Sequence, residues 1–511
     1  MRTVYLSLFI LGISVLPRSA AAAGGSAVAT AHPLATAAGT QILSEGGNAV
    51  DAAIAISFAL SVVEPWSSGI GGGAFMVVRM KGKTRTWDMR ETAPSAATRG
   101  MFVKDGKVVR GLSTRSALAA GIPGLVRGLA AVHAEYGKLP FRRLVEPSIR
   151  LARDGFLVSQ RLRDAITNVK EGLNPSAKAI FLDSKGRVPA VGTRLKQLNL
   201  AGTLERIAAT SGADFYTGVL AKELVRSVKA EGGIWTAKDL SSYAVRERTP
   251  VTGRFRGYEI HSMGPPSSGG LLLVQLLGVW EELNRGYKPE ERGYAHDMAE
   301  STKRAFAMRA VGLGDPDHVR VKREKFTGPS VIKELAGQVR AAKRATPAQA
   351  IGHVLVRPEE RTDTSHFGVL HANGDAVACT QTINLMFGSG LVAGNTGVVL
   401  NNEMDDFSAL PGAPNAFGLV GDEANSIAPG KRPLSSMTPT LVLKDGKAVG
   451  VFGSPGGSRI ITATYQSILN VIENGWSVKK ALAYPRMHHQ WFPDAILYEP
   501  ARFSPEQRKA L

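Results

Sequence analysis

Cysteine is nearly absent from this sequence, since Cys379 is the only one among 511 residues. A single cysteine cannot form an internal disulfide, so no cross-link within the chain can hold the fold together. Metal and nucleotide patterns are missing as well. No His-Glu-x-x-His motif occurs, His488 and His489 would point to opposite faces of a strand, and the glycine-rich run 69–73 continues as a strand rather than a phosphate-binding helix. We therefore predict no metal site and no cofactor.

Acidic residues are scarce relative to basic ones, 43 against 62, which gives a formal net charge of +19. This excess is dispersed along the chain, and its densest pieces, 322–325 and 340–344, contain no aromatic residue. Nucleic-acid binding requires a concentrated basic face with aromatic stacking partners. We predict no nucleic-acid partner and interpret the charge as surface solvation.

Apolar runs are short, and the first lies at the N-terminus. Arg2, the apolar residues 4–16 and the small residues 19–23 follow one another as in a secretory signal peptide, with cleavage expected after Ala22 or Ala23. We predict that residues 1–23 are removed and that the mature protein is periplasmic or secreted. The apolar stretch 48–63 is too short to cross a bilayer, so it predicts a buried helix and no membrane span.

The composition, 44% hydrophobic and 21% charged, is that of a globular protein with a large core. Helical patterns cover 34–44, 48–63, 124–136 and 141–154, while strand-like runs and Asp-Gly turns punctuate the chain. No tandem repeat is present. The periodicity by itself supports a mixture of helices and strands.

A polar, unpatterned segment gives way to an alternating strand at Asp363-Thr364-Ser365, deep inside the chain. A threonine hydroxyl needs a base beside it to act as a nucleophile, and the α-amine of an N-terminal threonine is such a base. An internal threonine becomes terminal only by cleavage. If Thr364 attacks the carbonyl of Asp363 and the ester hydrolyses, one reaction cuts the chain and creates the catalytic group.

The strand that starts at Thr364 is followed by a turn at 372–374 and a second strand that we expect to continue to Asn384. Two registers are possible. A two-residue Asn-Gly loop would place Ile383 opposite Thr364, whereas a three-residue Ala-Asn-Gly loop would place Thr382 there. We favour the second register, which puts a hydroxyl beside the nucleophile and brings Asn384 within reach of its target.

Several motifs resemble those of one family, the γ-glutamyltranspeptidases (glutathione hydrolases), which are N-terminal-nucleophile hydrolases. The matching segments, in order, are 45–53, 71–73, 90–94, 265–270, the strand from Thr364, 401–407, 433–437 and 453–458. The resemblance runs from about residue 27 to the end of the chain. It implies an α/β fold (α+β), built as a four-layer αββα sandwich.

The resemblance also implies autocatalytic cleavage into a large subunit, residues 24–363, and a small subunit, residues 364–511, with the cut between Asp363 and Thr364. The two products would stay together as a heterodimer that forms one globular domain. Family members continue beyond the point where this chain ends, so the C-terminus is expected to be truncated.

The run 453–458 lies between a predicted strand, 448–452, and an amphipathic helix that begins near Arg459. Backbone amides at a helix N-terminus favour negative charge, which suits an oxyanion hole. By resemblance, Gly456 and Gly457 hold the oxyanion, a role worth roughly 3 to 4 kcal/mol per donor. A tight strand-to-helix turn would need small residues too.

A γ-glutamyl substrate carries an α-carboxylate and an α-ammonium, so its pocket needs a cation with hydroxyls and a set of acceptors. The resemblance assigns the carboxylate to Arg90, Ser435 and Ser436. It assigns the ammonium to Asn384, Glu403 and Asp406. Without the resemblance, Asp405-Asp406 would be interpreted as a helix start or a turn, and Arg90 as a member of a surface ion pair.

The Pro- and Gly-rich segment 411–430 lacks an apolar face, which predicts a long loop beside the site. Many bacterial relatives have a lid here with a tyrosine whose hydroxyl closes the pocket. Phe417 stands at that place and cannot make this bond. Related cephalosporin and glutaryl acylases tend to lack the lid, so its presence favours γ-glutamyl chemistry.

The function implied is an autoprocessed γ-glutamyltransferase and glutathione hydrolase. It would form a γ-glutamyl ester on Thr364 and transfer the group to water, amino acids or peptides, with glutathione and other γ-glutamyl compounds as donors. Two alternatives stay open. One is an acylase for β-lactam side chains of the cephalosporin or glutaryl type, and the other is an unprocessed protein that binds amino acids or glutathione.

Overall fold

The computed structural model describes residues 20–23, 25–352, 363–499, 502–505 and 508. Within them, two main sheets contain the strands β1 (Ala20–Ala23), β2 (Ser26–Ala29), β3 (Gly73–Met80), β4 (Lys83–Met89), β5 (Arg246–Arg248), β6 (Val251–Phe255), β7 (Tyr258–Ser262), β8 (Ser365–Leu370), β9 (Ala376–Thr382), β10 (Thr440–Lys444) and β11 (Lys447–Phe452). Short two-stranded ribbons pair Val103–Lys104 with Lys107–Val108, Phe156–Leu157 with Arg194–Leu195, and Met487–His488 with Leu497–Tyr498.

The larger sheet has seven strands in the order β1-β2-β8-β9-β3-β4-β5, and the smaller has four in the order β6-β7-β10-β11. Neighbouring strands in both are antiparallel. β8 and β9, which follow the predicted cleavage site in the chain, lie in the middle of the larger sheet. The smaller sheet combines a hairpin that precedes Thr364 in the chain with one that follows it.

The longer helices are α1 (Pro33–Ser44), α2 (Ala49–Val63), α3 (Leu125–Tyr136), α4 (Phe141–Asp154), α5 (Gln160–Val169), α6 (Leu198–Thr210), α7 (Val219–Ala230), α8 (Gly269–Leu283), α9 (Arg292–Arg309), α10 (Pro329–Ala341) and α11 (Arg459–Ile472). Shorter helices span Arg110–Thr114, Pro175–Phe181, Ala213–Thr217, Ala237–Ser242, Glu324–Thr327, Ala348–Ile351 and Val478–Ala483. Single 3-10 turns cover Ala117–Ala119, Lys170–Gly172, Gly394–Thr396, Glu403–Asp406 and Glu423–Asn425.

The sheets face each other and each is covered by helices on its outer side. α2 and its neighbours share a buried cluster with one face of β3, β8 and β9, whereas α8, α9 and α11 share another with the smaller sheet. Between the sheets, Ala376 and Ala378 of β9 pack against Leu441 and Leu443 of β10. Because alternate residues of β9 point to opposite sides, both of its faces are buried. This helix–sheet–sheet–helix arrangement confirms the predicted αββα sandwich.

The predicted helices are present with small shifts at their ends. α2 is buried along its whole length, which explains why its sequence is apolar on every face. It begins with a capping box, in which the Asn48 side chain accepts from the Asp51 backbone and the Asp51 carboxylate accepts from the Asn48 backbone. Asp51 is therefore a structural residue of the helix start.

The predicted signal peptide falls mostly outside the described residues, which begin at residue 20. Ala20–Ala23, the expected cleavage region, pairs with β2 as the outermost strand of the larger sheet. The segment 353–362 before the cleavage site also lies outside the described residues. In the part of the chain that is described, no helix combines the length and the apolar character needed to cross a membrane.

Candidate active site

Thr364 immediately precedes β8 and is 5% exposed. Its Oγ1 donates a hydrogen bond to the carbonyl oxygen of Asp363 and lies 3.4 Å from Oγ1 of Thr382. The hydroxyl therefore lies beside the carbonyl group that cleavage requires it to attack.

The hairpin has the three-residue loop and the register that we favoured. Ser365 pairs with Gln381, so the next position places Thr364 opposite Thr382. Gly374 occupies the left-handed region with φ of +89°, and its N–H donates to the carbonyl of His371. The register prediction is thus confirmed.

The expected extent of the second strand is wrong. β9 ends at Thr382 because Asn384 has φ of +76°, which breaks the extended conformation. The backbone N–H of Asn384 donates to Oγ1 of Thr382 at 2.8 Å, and its side-chain amide donates to the carbonyl of Asn402 at 2.9 Å. Asn384 reaches the site from a turn beyond the strand end.

On one side of Thr364 lies a small cavity of about 20 Å³. That volume admits roughly one water molecule. All the residues predicted to bind the donor line this cavity, together with Thr382 and Gly457: Arg90, Asn384, Glu403, Asp406, Ser435 and Ser436.

Arg90 is fully buried and engaged by carboxylates. It forms ion pairs with Glu403 and with Asp406, the second at 2.5 Å, and lies 3.9 Å from Glu91. Its Nε donates to the carbonyl of Pro433 at 3.1 Å. Arg90 is therefore an organising residue of the pocket, and the surface ion pair that its residue type alone suggested is ruled out by its burial.

The Ser435–Ser436 segment is held in place by the motif 265–270. The backbone N–H of Ser435 donates to the carbonyl of Pro266 at 2.8 Å, and the N–H of Ser268 donates to the carbonyl of Ser435 at 2.9 Å. Ser435 Oγ in turn accepts from the N–H of Met437. Two motifs that are distant in sequence thus form one wall of the cavity.

Gly456 and Gly457 lie between β11 and α11, as predicted, with φ of +127° and +57°. These are backbone conformations that side chains disfavour. A Cβ on Gly457 would also lie 2.5 Å from the ring of Phe417. Among the described residues, the N–H groups of both glycines donate to no protein acceptor, which leaves them available to an oxyanion.

The loop 411–430 covers the cavity, as its composition predicts. Phe417 is 5% exposed and packs over Gly457. Asn415 holds the loop to the site, since its side-chain amide donates to Asp406 Oδ1 at 3.1 Å and its Oδ1 accepts from the N–H of Phe417. The lid is thus tied to the pocket by Asn415, while Phe417 contributes apolar packing.

A second and larger cavity, of about 740 Å³, opens on the other side of Thr364. Its lining includes Asp363, Gly456 and the basic residues Arg161 and Arg486. Thr364 therefore lines two cavities, a small one with charged residues in its lining and a larger one.

Comparisons with known proteins agree on one family. The family model described as Gamma-glutamyltranspeptidase matches residues 35–511. The chain is 44% identical over 490 residues to the Glutathione hydrolase proenzyme of Escherichia coli (strain K12), covering 95% of this chain and 84% of that protein. This chain belongs to the γ-glutamyltranspeptidase family.

Solved structures show the same fold. The cephalosporin acylase from Bacillus halodurans superposes with a TM-score of 0.80 at 29% identity, covering 94% of this chain and 87% of that one. The γ-glutamyltranspeptidase of Helicobacter pylori superposes with a TM-score of 0.60 at 39% identity, covering 63% of this chain and 93% of the other. Membership of the γ-glutamyltranspeptidase family makes the protein an enzyme of the γ-glutamyltransferase and glutathione hydrolase type.

The γ-glutamyltranspeptidase pocket concentrates acids that burial pushes towards their neutral forms. Burial raises the pKa of Glu403 well above its ordinary value and raises that of Glu91 to about 8, although Arg90 opposes both shifts. Oε2 of Glu403 is buried and has no hydrogen-bond partner among the described residues. In the ionised form, this unpaired oxygen is an acceptor suited to a donor's ammonium group.

The sequence analysis missed Glu64, which directly follows α2 and lies next to the predicted cleavage site. Its Oε2 accepts from Ser365 Oγ at 2.5 Å and from Ser67 Oγ at 3.3 Å, and burial raises its pKa. Asp363 is buried beside it, and burial raises the Asp363 pKa from 3.8 to about 7. The sequence did offer one signal for Glu64, because it is an acidic residue directly after the apolar run of α2.

Arg309 was also missed. It is the last residue of α9, and its side chain lines the small cavity with Thr364. Nothing in the local pattern of α9 distinguishes it from an ordinary basic residue at a helix C-terminus.

Proposed function

We propose that Thr364 first cuts the chain and then serves as the nucleophile of a γ-glutamyltransferase and glutathione hydrolase. The observation that carries the proposal is the position of one hydroxyl, which lies against the carbonyl of Asp363 and also at the mouth of the charged pocket. The same oxygen can therefore serve both reactions.

In the cleavage reaction, Thr364 Oγ1 bonds to the carbonyl carbon of Asp363 and the Asp363–Thr364 C–N bond breaks. The hydroxyl proton ends on the released nitrogen, which becomes the α-amine of Thr364. Water then hydrolyses the ester and regenerates the hydroxyl. The products are a large subunit ending at 363 and a small subunit beginning at 364, which remain together as a heterodimer because β8 and β9 lie inside the larger sheet.

In turnover, the new α-amine accepts the hydroxyl proton while Oγ1 attacks the γ-carbonyl of the donor. The N–H groups of Gly456 and Gly457 stabilise the oxyanion. Thr382 orients the nucleophile through its hydroxyl. The leaving amine takes the proton, and the γ-glutamyl ester on Thr364 is then attacked by water, an amino acid or a peptide.

Donor recognition follows from the two sets of charges in the small cavity. Ser435, Ser436 and Arg90 face the α-carboxylate. Asn384, Asp406 and the unpaired Oε2 of Glu403 accept from the α-ammonium. Glutathione and other γ-glutamyl compounds have this pair of groups at the correct end of the molecule.

An acylase for glutaryl side chains is the second candidate, because the acylase from Bacillus halodurans has such a similar fold. A glutaryl group has the carboxylate of a γ-glutamyl group but lacks its ammonium, so the substrates of the two enzymes differ by one charge. We expect γ-glutamyl anilide to be hydrolysed roughly 100-fold faster than glutaryl anilide, which is the effect of a lost charged contact of about 3 kcal/mol. Equal rates, or faster glutaryl hydrolysis, would establish the acylase. A binding protein that is never cut would hydrolyse neither substrate.

The N-terminal pattern supports export to the periplasm or the outside of the cell. Expression of the whole chain in a bacterial host should place the protein outside the cytoplasm, with a large subunit that begins after Ala22 or Ala23. A cytoplasmic protein that retains Met1 would refute the export proposal.

A further inference from the structure

Arg309 occupies the part of the cavity where the donor's α-carboxylate is expected. Its Nη2 donates to Ser436 Oγ at 3.4 Å, and its Nε donates to Ser268 Oγ at 2.9 Å. Ser268 Oγ also donates to the carbonyl of Ser435 at 2.8 Å. The guanidinium therefore touches one serine of the carboxylate-binding pair and supports the other indirectly.

The surroundings of Arg309 differ from those of Arg90 in one respect. Arg90 has carboxylates at both ends of its guanidinium, from Glu403 and Asp406. Arg309 is only 5% exposed, yet among the described residues no carboxylate oxygen lies within 4.0 Å of it. Its partners in that part of the chain are neutral hydroxyls.

The charge on Arg309 is costly to keep in this position. Burial lowers the pKa of Arg309 to about 10; Asp406 favours the charged form and Arg90 disfavours it. The group is still protonated at neutral pH. A buried cation is normally paired, because removal of a charge from water without a counter-ion is expensive. An anionic group that enters the cavity would supply the missing partner.

We propose that Arg309 binds the α-carboxylate of the donor together with Ser436, and so restricts the enzyme to donors that carry this carboxylate. The inference rests on the proposed function, and it deepens it by adding a specificity-determining residue. Arg90 shares its charge between Glu403 and Asp406, which would receive the ammonium, so it does not balance the carboxylate alone. Arg309 then balances the donor's negative charge.

A purely structural role is the competing explanation. A cation at the C-terminus of α9 interacts favourably with the helix dipole, and its bonds to Ser268 and Ser436 join two loops. Loss of such a support would weaken the site for every substrate alike. Loss of a carboxylate ligand would weaken it only for substrates that have the carboxylate.

The test compares two donors, γ-glutamyl p-nitroanilide and the same compound with its α-carboxylate converted to a carboxamide. Wild type should prefer the acid. For Arg309→Gln we expect kcat/KM on the acid to fall roughly 30- to 100-fold and on the amide only a few-fold, as for a lost charge-assisted contact. An equal fall for both donors would overturn the proposal. Arg304→Gln, a buried arginine on the same helix that pairs with Glu300, should leave the preference unchanged.

If Arg309→Gln does not yield a folded, cleaved protein, Arg309→Lys decides the question. Lysine retains the charge but not the two-pronged contact, so the acid-over-amide preference should fall about tenfold, and a preference equal to that of wild type would overturn the proposal. The failure of the proposed function looks different. In that case wild type itself would be inactive towards γ-glutamyl p-nitroanilide.

Discussion

Acids are buried on both sides of Thr364, but only on one side are they balanced by a close cation. In the donor pocket, Glu403 and Asp406 form contact ion pairs with Arg90. At the predicted cleavage junction, Asp363 has no ion pair among the described residues, and Glu64 has only a long one, with Arg161.

The cation nearest to the cleavage junction is Arg161, which is 3.9 Å from Glu64 and has 59% of its side chain exposed. The other contacts of Glu64 are the hydroxyls of Ser67 and Ser365. A screened and exposed cation contributes little. The acids of the predicted donor pocket thus have a buried cation in contact with them, whereas those of the predicted cleavage junction have only an exposed cation nearby.

Among the substitutions considered, Arg90→Lys should have the largest effect, and it should impair donor binding alone. An ammonium cannot satisfy Glu403 and Asp406 at once, so the acceptors of the donor's ammonium lose their order. We expect KM for γ-glutamyl anilide to rise roughly 100-fold, while cleavage at Asp363–Thr364 still goes to completion. Arg85→Lys is the control, since Arg85 lies on β4, which ends just before Arg90, and its ion pairs with Glu135 and Glu247 are exposed. An unchanged KM would remove Arg90 from the site.

A change at Thr382 should affect both sides, because Thr382 supports the oxygen that both reactions use. Thr382→Val keeps the shape but removes the hydroxyl that lies 3.4 Å from Thr364 Oγ1 and accepts from the N–H of Asn384. We expect cleavage and turnover each to slow by about tenfold, the effect of roughly 1.4 kcal/mol in the transition state. Rates of chain cutting and anilide hydrolysis measure the two effects.

Thr380→Val is the matched control for Thr382→Val. Thr380 Oγ1 bonds to His366 Nδ1 at 2.8 Å and is buried two residues down the strand. Its loss should lower the melting temperature and leave the rates less affected. If Thr380→Val slowed the chemistry more than Thr382→Val did, the assignment of Thr382 as the orienting hydroxyl would be wrong.

The smallest expected effect concerns Asp363 at the predicted cleavage site, and it is a dependence of the folding stability on pH. Because the folded chain raises the pKa of Asp363 from 3.8 to about 7, it binds a proton that the unfolded chain releases. The stability that the folded chain gains from this proton is fully present below pH 3.8 and is lost as the pH rises through about 7.

The uncut Thr364→Ala protein is the one to measure. Between about pH 5 and pH 8 its melting temperature should fall a few degrees more than that of the double variant Thr364→Ala/Asp363→Asn. The double variant keeps Glu64 and Arg161, so the difference isolates Asp363. Identical pH profiles of the two variants would show that folding does not raise the pKa of Asp363.

Sequence reasoning succeeded where the determinants are local. The hairpin register follows from three turn residues, 372–374, and the helix start at Asn48 follows from a capping box within four residues. The strand end before Asn384 was missed because the side chain of Asn384 bonds to the carbonyl of Asn402, which lies in another loop.

The missed site residues depend on contacts between distant parts of the chain. Ser365 meets Glu64 across 301 positions, and Arg309 meets Ser436 across 127. No periodicity or spacing encodes such encounters, since they arise from the packing of the two sheets and their helices. The resemblance to a family supplied the predicted donor residues, but it carried over only residues that belong to a recognised motif.

We propose that one oxygen, Oγ1 of Thr364, first cuts the chain and then carries the γ-glutamyl group. Intact-mass analysis tests it directly when the purified protein is acid-quenched during turnover of a γ-glutamyl donor. We expect a small subunit that begins at Thr364 and is heavier by one γ-glutamyl acyl group, with peptide mapping that locates the group on Thr364, and a single uncut, unlabelled chain for Thr364→Ala. An uncut wild-type chain that still hydrolyses the donor, or an acyl group on another residue, would contradict the account.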